Sequence, residues 1–139
     1  MRPEYESEED VLAALDVAAC VENSWKCSAF RLPPLSVVDF ALCDAGVLKA
    51  FAEVKVRDNA HDAYDEYMIS LVKWSVLYEL TTMTKSPAFL VVKFTDGLYY
   101  TKITEKPFRV ARGGREDRGD TQDKELCAFV PMKLFKEIK

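Results

Sequence analysis

Two apolar segments joined by a three-residue turn constrain the fold of this chain most strongly. Residues 35–43 and residues 47–56 are rich in apolar and β-branched side chains, which favour β-strands. Asp44-Ala45-Gly46, which lies between them, is typical of a turn. Because two strands joined so closely must be antiparallel neighbours, the sequence predicts a β-hairpin over residues 35–56.

Helices are predicted before and after this hairpin. Residues 7–22 open with the capping-box pattern Ser7-Glu8-Glu9-Asp10 and continue with apolar residues at helical spacing. Residues 64–80 place aromatic and apolar residues along one side of a second helix. The Pro33-Pro34 pair interrupts the chain between the first helix and the hairpin.

The rest of the chain is predicted to form short strands, a long polar loop and a final helical turn. The strands are predicted at residues 88–94, 98–104 and 126–130, the loop at 106–124 and the helical turn at 131–138. This order predicts a single domain over residues 1–139, of the α/β or α+β class, with a mixed sheet against helices.

The composition excludes several classes of protein. The chain has 139 residues, 49% of them hydrophobic, and a net charge of −4, which excludes wholesale disorder. No apolar run approaches the ~20 residues that a helix needs to cross a membrane. The net charge also argues against a protein that binds nucleic acid through bulk positive charge. Residues 1–23 carry seven acids and one base, so the remainder has a net charge of +2. A nucleic-acid enzyme with a few placed cations is therefore not excluded.

The cysteines argue for a reducing compartment rather than for a zinc site. None of the four cysteines forms a CxxC pair, and the chain has a single histidine. The acidic N-terminus lacks the basic start and apolar core of a secretory signal. We therefore expect reduced thiols in an intracellular protein.

Charged residues interrupt the apolar hairpin. Glu53 and Lys55 are two residues apart on a strand, so both side chains leave the same face. If the hairpin pairs residues whose numbers sum to 92, Asp39 lies opposite Glu53 and Cys43 lies opposite Lys49. Directly opposed Cβ atoms are about 4.5–5.5 Å apart, and two carboxylates at that spacing repel each other unless a cation lies between them.

The cation that suits such a pair is Mg²⁺ or Mn²⁺. Mg²⁺ prefers oxygen ligands and usually takes only one or two protein carboxylates, leaving positions for water and a substrate phosphate. The backbone carbonyl of Val54 is a further candidate ligand. Lys55 is placed to orient a water, to help deprotonate it, or to offset charge on the phosphate. Acids and lysines also occur by chance on half-solvated strands, which is the competing interpretation.

The order of these residues resembles the PD-(D/E)xK nuclease superfamily, and in particular its small phage and bacterial members. The pattern of that superfamily is an acid on the first helix, an Asp on the first strand of a hairpin, and (Asp/Glu)-x-Lys on the second strand. Glu22, Asp39, Glu53 and Lys55 match these positions in order, while Val38 stands where the family name has proline.

The resemblance implies a restriction-endonuclease-like core, in which helices flank a central mixed sheet. It implies an enzyme, a metal-dependent nuclease that hydrolyses phosphodiester bonds in DNA. Asp39, Glu53 and the Val54 carbonyl would then hold Mg²⁺ or Mn²⁺. Glu22 would hold a second ion, or a water on the first. Lys55 would position the attacking water.

Two further groups of residues gain roles from the resemblance. A polar residue on the helix after the motif supports the site in small members of the superfamily, and Lys73 or Ser70 would take that place. Four arginines occur every third residue in the Gly-containing segment, at Arg109, Arg112, Arg115 and Arg118. They suggest a flexible loop that contacts DNA phosphates, although a solvated loop has the same appearance.

Several functions remain open within these expectations. A junction-resolving endonuclease, which acts on branched DNA as a homodimer, and a monomeric nicking or single-strand nuclease are equally compatible with the sequence. The alternatives to a nuclease are a non-catalytic nucleic-acid-binding protein on the same fold and an unrelated α/β interaction module. The expected location is the cytoplasm of a bacterial or phage-infected cell, without a membrane partner.

Overall fold

The computed structural model describes residues 8–105, 108–113 and 125–139. In chain order these residues form α1 (Glu8–Trp25), β1 (Ser28–Arg31), β2 (Phe40–Asp44), β3 (Val47–Val56), β4 (Glu66–Ser70), α2 (Leu71–Thr84), β5 (Ala88–Phe94), β6 (Gly97–Lys102), β7 (Arg109–Arg112), β8 (Leu126–Pro131), a short 3-10 helix (Met132–Leu134) and β9 (Lys136–Glu137).

Six strands form a mixed sheet in the order β1-β2-β3-β5-β6-β9. β3 and β5 are parallel, and the other pairs in this sheet are antiparallel. A parallel pair needs a long crossover connection, which β4 and α2 provide here. β4, β8 and β7 form a second, three-stranded antiparallel sheet. The predicted α/β (α+β) class with a central mixed sheet and flanking helices is confirmed, whereas the second sheet was not predicted.

The two helices cover opposite faces of the six-stranded sheet. Val21 of α1 is buried in one apolar cluster with Phe40 and Ala52. Trp74 of α2 is buried in another, with Phe51 and residues of the three-stranded sheet. Because successive side chains of a strand leave on opposite faces, the odd-numbered side chains of β3 lie on the α2 side.

The central hairpin has the predicted second strand and a shorter first strand. β3 has the predicted bounds Val47–Val56, whereas β2 begins at Phe40 rather than at residue 35. Residues 34–39 form turns and bends after Pro33, so the prediction of a strand from residue 35, which followed from the apolar composition, is wrong for residues 35–39. β1, which pairs with β2, was not predicted.

The register of the hairpin is predicted correctly at one end and not at the other. Phe40 lies opposite Ala52, so the pair numbers sum to 92 as expected. A β-bulge precedes Cys43, which therefore lies opposite Leu48 and not opposite Lys49. A bulge places one extra residue in one strand, and the sequence carries no clear signal for it.

The prediction of a second helix over residues 64–80 is wrong in its first part. Residues 66–70 form β4, whose alternating burial and pairing with β8 are those of a strand. The helix begins at Leu71 and continues to Thr84, with Ser70 as its N-cap.

The C-terminal part differs from the predicted loop and helical turn. Arg109–Arg112 forms strand β7 against β8, so this part of the predicted loop is ordered as a sheet edge. Residues 106–107 and 114–124 lie outside the described residues. The closing segment forms a 3-10 helix and then β9, which pairs with β6. No helix among the described residues is long and apolar enough to cross a membrane.

Candidate active site

Glu53 is a buried charged residue in the middle of β3. Its side chain is only 1% exposed, and it directly follows the buried apolar residues Ala50, Phe51 and Ala52 of the strand. One carboxylate oxygen, Oε2, lies 3.2 Å from Lys73 Nζ and 3.5 Å from Lys55 Nζ. The other oxygen, Oε1, is buried without a hydrogen-bond partner in the described part of the chain. Since a buried polar atom without a partner costs about 1–3 kcal/mol, this oxygen marks a place where a ligand would be stabilising.

The surroundings of Glu53 raise its pKa. Burial is the largest cause, because it disfavours the charged form, and the nearby carboxylate of Asp39 raises the pKa further. Lys55 and Lys73 lower it, but not enough to reverse the direction. Two acids and two lysines therefore act on one another electrostatically at this position.

Asp39 immediately precedes β2, beside the same part of β3. Its Oδ2 accepts a hydrogen bond from the backbone N–H of Val54, at 2.9 Å. The odd-numbered residues of the β3 segment direct their backbone N–H groups towards β5. One example is the hydrogen bond from the Arg57 N–H to the Lys93 carbonyl. The N–H and C=O of Val54 therefore point to the other edge of β3, towards Asp39. Three predicted metal ligands, Asp39, Glu53 and the Val54 carbonyl, thus lie together with Lys55.

Glu22 does not lie with this group. Its carboxylate accepts a hydrogen bond from the backbone N–H of Ala29, at 2.8 Å. The acid of α1 that lies near Asp39 is Asp10, because both line one cleft of about 330 Å³, together with Lys55. Glu22 is twelve residues further along α1, which corresponds to about 18 Å along the helix axis. The superfamily pattern requires an acid on the first helix, a place given to Glu22, whereas Asp10 belongs to the capping-box pattern at the helix start.

Lys73 and Ser70 have different positions at the start of α2. Lys73 reaches across to the sheet, where its Nζ contacts Glu53 Oε2 and donates a hydrogen bond to the carbonyl of Val37. Ser70 is the N-cap of α2, and its Oγ accepts from the Lys73 N–H at 3.4 Å and donates to Glu125 at 3.3 Å. Lys73 therefore contacts the acidic group directly, and Ser70 fixes the first turn of the helix that carries Lys73.

The arginines of the C-terminal segment divide into two groups. Arg109 and Arg112 lie on β7, whereas Arg115 and Arg118 lie outside the described residues. The Arg109 guanidinium pairs with Glu66 at 2.8 Å and lies over the ring of Phe129, 4.0 Å from its centroid. Arg109 therefore has a carboxylate partner and an aromatic partner within the fold.

A second group of potential metal ligands lies near the turn between β5 and β6. Single ligand atoms of His61, Asp62 and Asp96 lie within 4.8 Å of one another. His61 Nδ1 and Asp96 Oδ2 are 2.7 Å apart, and this hydrogen bond is the main reason that the pKa of His61 is raised. His61 and Asp96 are therefore already hydrogen-bonded to each other. Of the two groups, the Asp39–Glu53 pair fits a divalent cation better, because Glu53 Oε1 has no hydrogen-bond partner among the described residues.

Comparison with known proteins agrees with this geometry. The family described as "Phage putative PDDEXK endonuclease" matches residues 1–138. The fold is similar to that of Hjc, a Holliday junction resolvase from the archaeal hyperthermophile Archaeoglobus fulgidus, with a TM-score of 0.62 and 14% sequence identity over 94% of this chain and 93% of that chain. No curated protein sequence matches the chain. The resemblance seen in the hairpin motif is therefore confirmed, and so is the predicted nuclease function: the chain belongs to the phage PDDEXK endonuclease family.

Proposed function

We propose that this protein is a metal-dependent endonuclease that hydrolyses phosphodiester bonds in DNA at the Asp39–Glu53 pair. The observation that carries the proposal is the buried Glu53 Oε1, which has no hydrogen-bond partner in the described residues although a second carboxylate lies beside it. A divalent cation would bind the unpartnered Glu53 oxygen and would reduce the repulsion between the Asp39 and Glu53 carboxylates. Asp39, Glu53 and the Val54 carbonyl would hold Mg²⁺ or Mn²⁺, which would stabilise negative charge on the phosphate.

The remaining charged side chains have separate roles in this proposal. Lys55 is 37% exposed, so its ammonium can reach a substrate phosphate or a water while it stays near Glu53. Lys73 holds the Glu53 carboxylate in place from the α2 side. Asp10, which shares a cleft with Asp39, would hold a second ion or a water in the place first assigned to Glu22.

We further propose branched DNA as the preferred substrate. The similarity in fold to a Holliday junction resolvase supports this choice over unbranched duplex. Cutting two strands of a junction requires two active sites, so the active species would be a homodimer in the cytoplasm of a bacterial or phage-infected cell. The four cysteines, which are all free thiols, are compatible with that compartment.

The test compares cleavage of a four-way junction, a duplex and a single strand of the same sequences. Each substrate is incubated with purified protein in Mg²⁺, in Mn²⁺ and in a chelator, and products are resolved on denaturing gels. Glu53→Gln is expected to lower the rate at least about 100-fold, since it removes a metal ligand and a charge. Glu79→Gln, on the exposed side of α2, is the matched control and should cleave like the wild type.

Lys55→Met tests the lysine in the same assay, with the exposed Lys102→Met of β6 as its control. Cleavage in the chelator, or equal rates for Glu53→Gln and the wild type, would show that the proposed mechanism is wrong. Equal rates on the junction and the duplex would refute only the preference for branched DNA. Sedimentation of the wild type with and without the junction measures whether two copies assemble.

A further inference from the structure

A cavity of about 520 Å³ lies beside the candidate active site. Arg57, which lines it, follows Lys55 by two residues on the same face, and so lies about 7 Å further along the chain. Phe94, at the end of the neighbouring parallel strand β5, lines the cavity as well. The cavity therefore begins where the row of charged residues on β3 ends.

The walls of the cavity are aromatic rings and guanidinium groups. Tyr67 and Phe94, which pack edge to face with ring centroids 6.3 Å apart, line it as part of the core and are only 5% and 4% exposed. Phe129 also lines the cavity, with the Arg109 guanidinium over its ring. The Arg57 guanidinium lies 5.0 Å from the centroid of the Tyr67 ring. Flat apolar rings and stacked guanidinium planes are the surfaces on which unpaired bases stack in nucleic-acid-binding proteins.

Among the described residues that line the cavity, Arg57 is the one cation without a carboxylate partner, and the acids of the lining are Asp65 and Glu66. Arg109 is paired with Glu66, and His61 is paired with Asp96. Arg57 donates a hydrogen bond to the carbonyl of Val56, and no carboxylate in the described part of the chain forms an ion pair with it. Its charge is therefore available to a phosphate of a strand that passes from Lys55 towards the cavity.

The hydroxyl of Tyr67 is a second unusual feature of the wall. It is buried without a hydrogen-bond partner among the described residues. Its pKa is raised to about 12, chiefly by burial, and the charge of Glu53 contributes to the same direction. Tyr67 is thus a wall of the cavity that also lies within electrostatic range of the active-site acid. The two sites are neighbours on one face of the sheet.

We propose that this cavity accepts one unpaired nucleobase of the DNA strand, next to the phosphate that is cut. The base stacks on the exposed Arg109 guanidinium, which lies over the Phe129 ring, while Arg57 binds the adjoining phosphate. The inference rests on the proposed nuclease function and adds a substrate class to it: DNA that has an unpaired nucleotide beside the cleavage point. A base in a regular duplex reaches such a cavity only after it leaves the stack, which costs a few kcal/mol.

The test uses a duplex with a single unpaired adenine and the same duplex with an abasic residue in its place. Kd is measured by fluorescence anisotropy in a chelator, so that cleavage does not interfere, and cutting is measured separately in Mg²⁺ or Mn²⁺. The wild type is expected to bind the unpaired adenine at least about five-fold more tightly than the abasic residue. Phe129→Leu is expected to reduce that ratio.

Arg57→Met is a second variant that leaves the aromatic walls intact. It is expected to weaken binding of both substrates, and more strongly for the substrate with the base, because the guanidinium also forms part of the stacking surface. Lys102→Met is the matched control for charge, since Lys102 is exposed and lies opposite Phe89, at the start of β5 and far from Phe94. It should retain the preference of the wild type.

Two results would overturn the inference. One is equal binding of the adenine and the abasic substrate by the wild type. The other is a base preference that survives in both Phe129→Leu and Arg57→Met when circular dichroism shows that the variants are folded. Failure of the nuclease function has a different signature, because in that case the wild type cuts neither substrate with metal present.

Discussion

Lys73→Met is expected to destabilise the protein through Glu53. The Lys73 ammonium lies 3.2 Å from the Glu53 carboxylate, whose side chain is 1% exposed. At an effective dielectric constant of about 20, that distance gives a gross attraction of about 5 kcal/mol. Lys73 is 21% exposed and Lys55 stays 3.5 Å from the same oxygen, so solvent and the remaining cation offset part of the loss. We expect a net decrease of about 2–3 kcal/mol in the free energy of unfolding, below the usual range for a fully buried pair.

Thermal unfolding and a double-mutant cycle measure this coupling. A chain of 139 residues has an unfolding entropy of roughly 290 cal/mol/K, so 1 kcal/mol shifts Tm by about 3.4 °C. Lys73→Met should therefore lower Tm by about 7–10 °C in the metal-free protein. In the Glu53→Gln background the same substitution should cost less than about 1 kcal/mol, because the buried charge is gone. The exposed Lys102→Met should cost less than about 0.5 kcal/mol.

An equal cost of Lys73→Met with and without Glu53→Gln would refute this reasoning. It would mean that Lys73 stabilises α2 by packing or through its hydrogen bond to Val37, and not by compensating a buried charge.

The remaining predictions concern metal, pH and capping. Mn²⁺ at about 100 times its Kd should raise Tm by about 9 °C, and a similar rise in Glu53→Gln would contradict the assigned site. The pKa of Glu53 is raised above 4.5, so the free energy of unfolding decreases as pH rises from 4.5 through that raised value. Glu53→Gln should therefore stabilise the metal-free protein at pH 7, as measured by urea unfolding. A lower stability of the variant would contradict this. Ser70→Ala should lower Tm by about 3 °C, because it removes the N-cap of α2. The folded variant should still cleave DNA, and a loss of cleavage would assign Ser70 a direct role. Asp96→Asn should lower the pKa of His61 in an NMR titration, whereas an unchanged value would exclude their hydrogen bond as its cause.

The sequence predicts best those elements whose apolar residues follow a single pattern and whose boundary is marked by a turn residue. β3 has the predicted bounds because an apolar run follows Gly46, whose positive φ suits the turn. Residues 64–70 were assigned wrongly because Tyr67 and Leu71 fit helical spacing as well as they fit a strand followed by a helix. The pairing of β4 with β8 decides between them, and its partner lies about 60 residues away in sequence.

The site shows the same division between local and long-range information. Asp39, Glu53 and Lys55 were predicted together because they lie close in sequence on the two sides of one turn, although the bulge before Cys43 means that the turn alone does not fix the register near Asp39. Asp10 was missed because its approach to Asp39 depends on how α1 packs across the sheet, which no spacing within the helix encodes. The cavity next to Arg57 was also missed, because it forms between the six-stranded sheet and the second sheet, which the sequence did not predict.

The position of Glu53 is difficult to explain by stability alone. A carboxylate that is 1% exposed, lies beside Asp39 and has one oxygen without a partner in the described part of the chain makes the metal-free fold less stable than a neutral side chain of the same shape would. The His61–Asp96 pair differs, because its side chains are 34% and 38% exposed and are hydrogen-bonded to each other. Sequences that fold well tend to violate local rules chiefly at functional sites. If that holds here, the substitution that stabilises the metal-free protein, Glu53→Gln, is also the one that abolishes cleavage, and a structural role for Glu53 predicts the opposite result in both measurements.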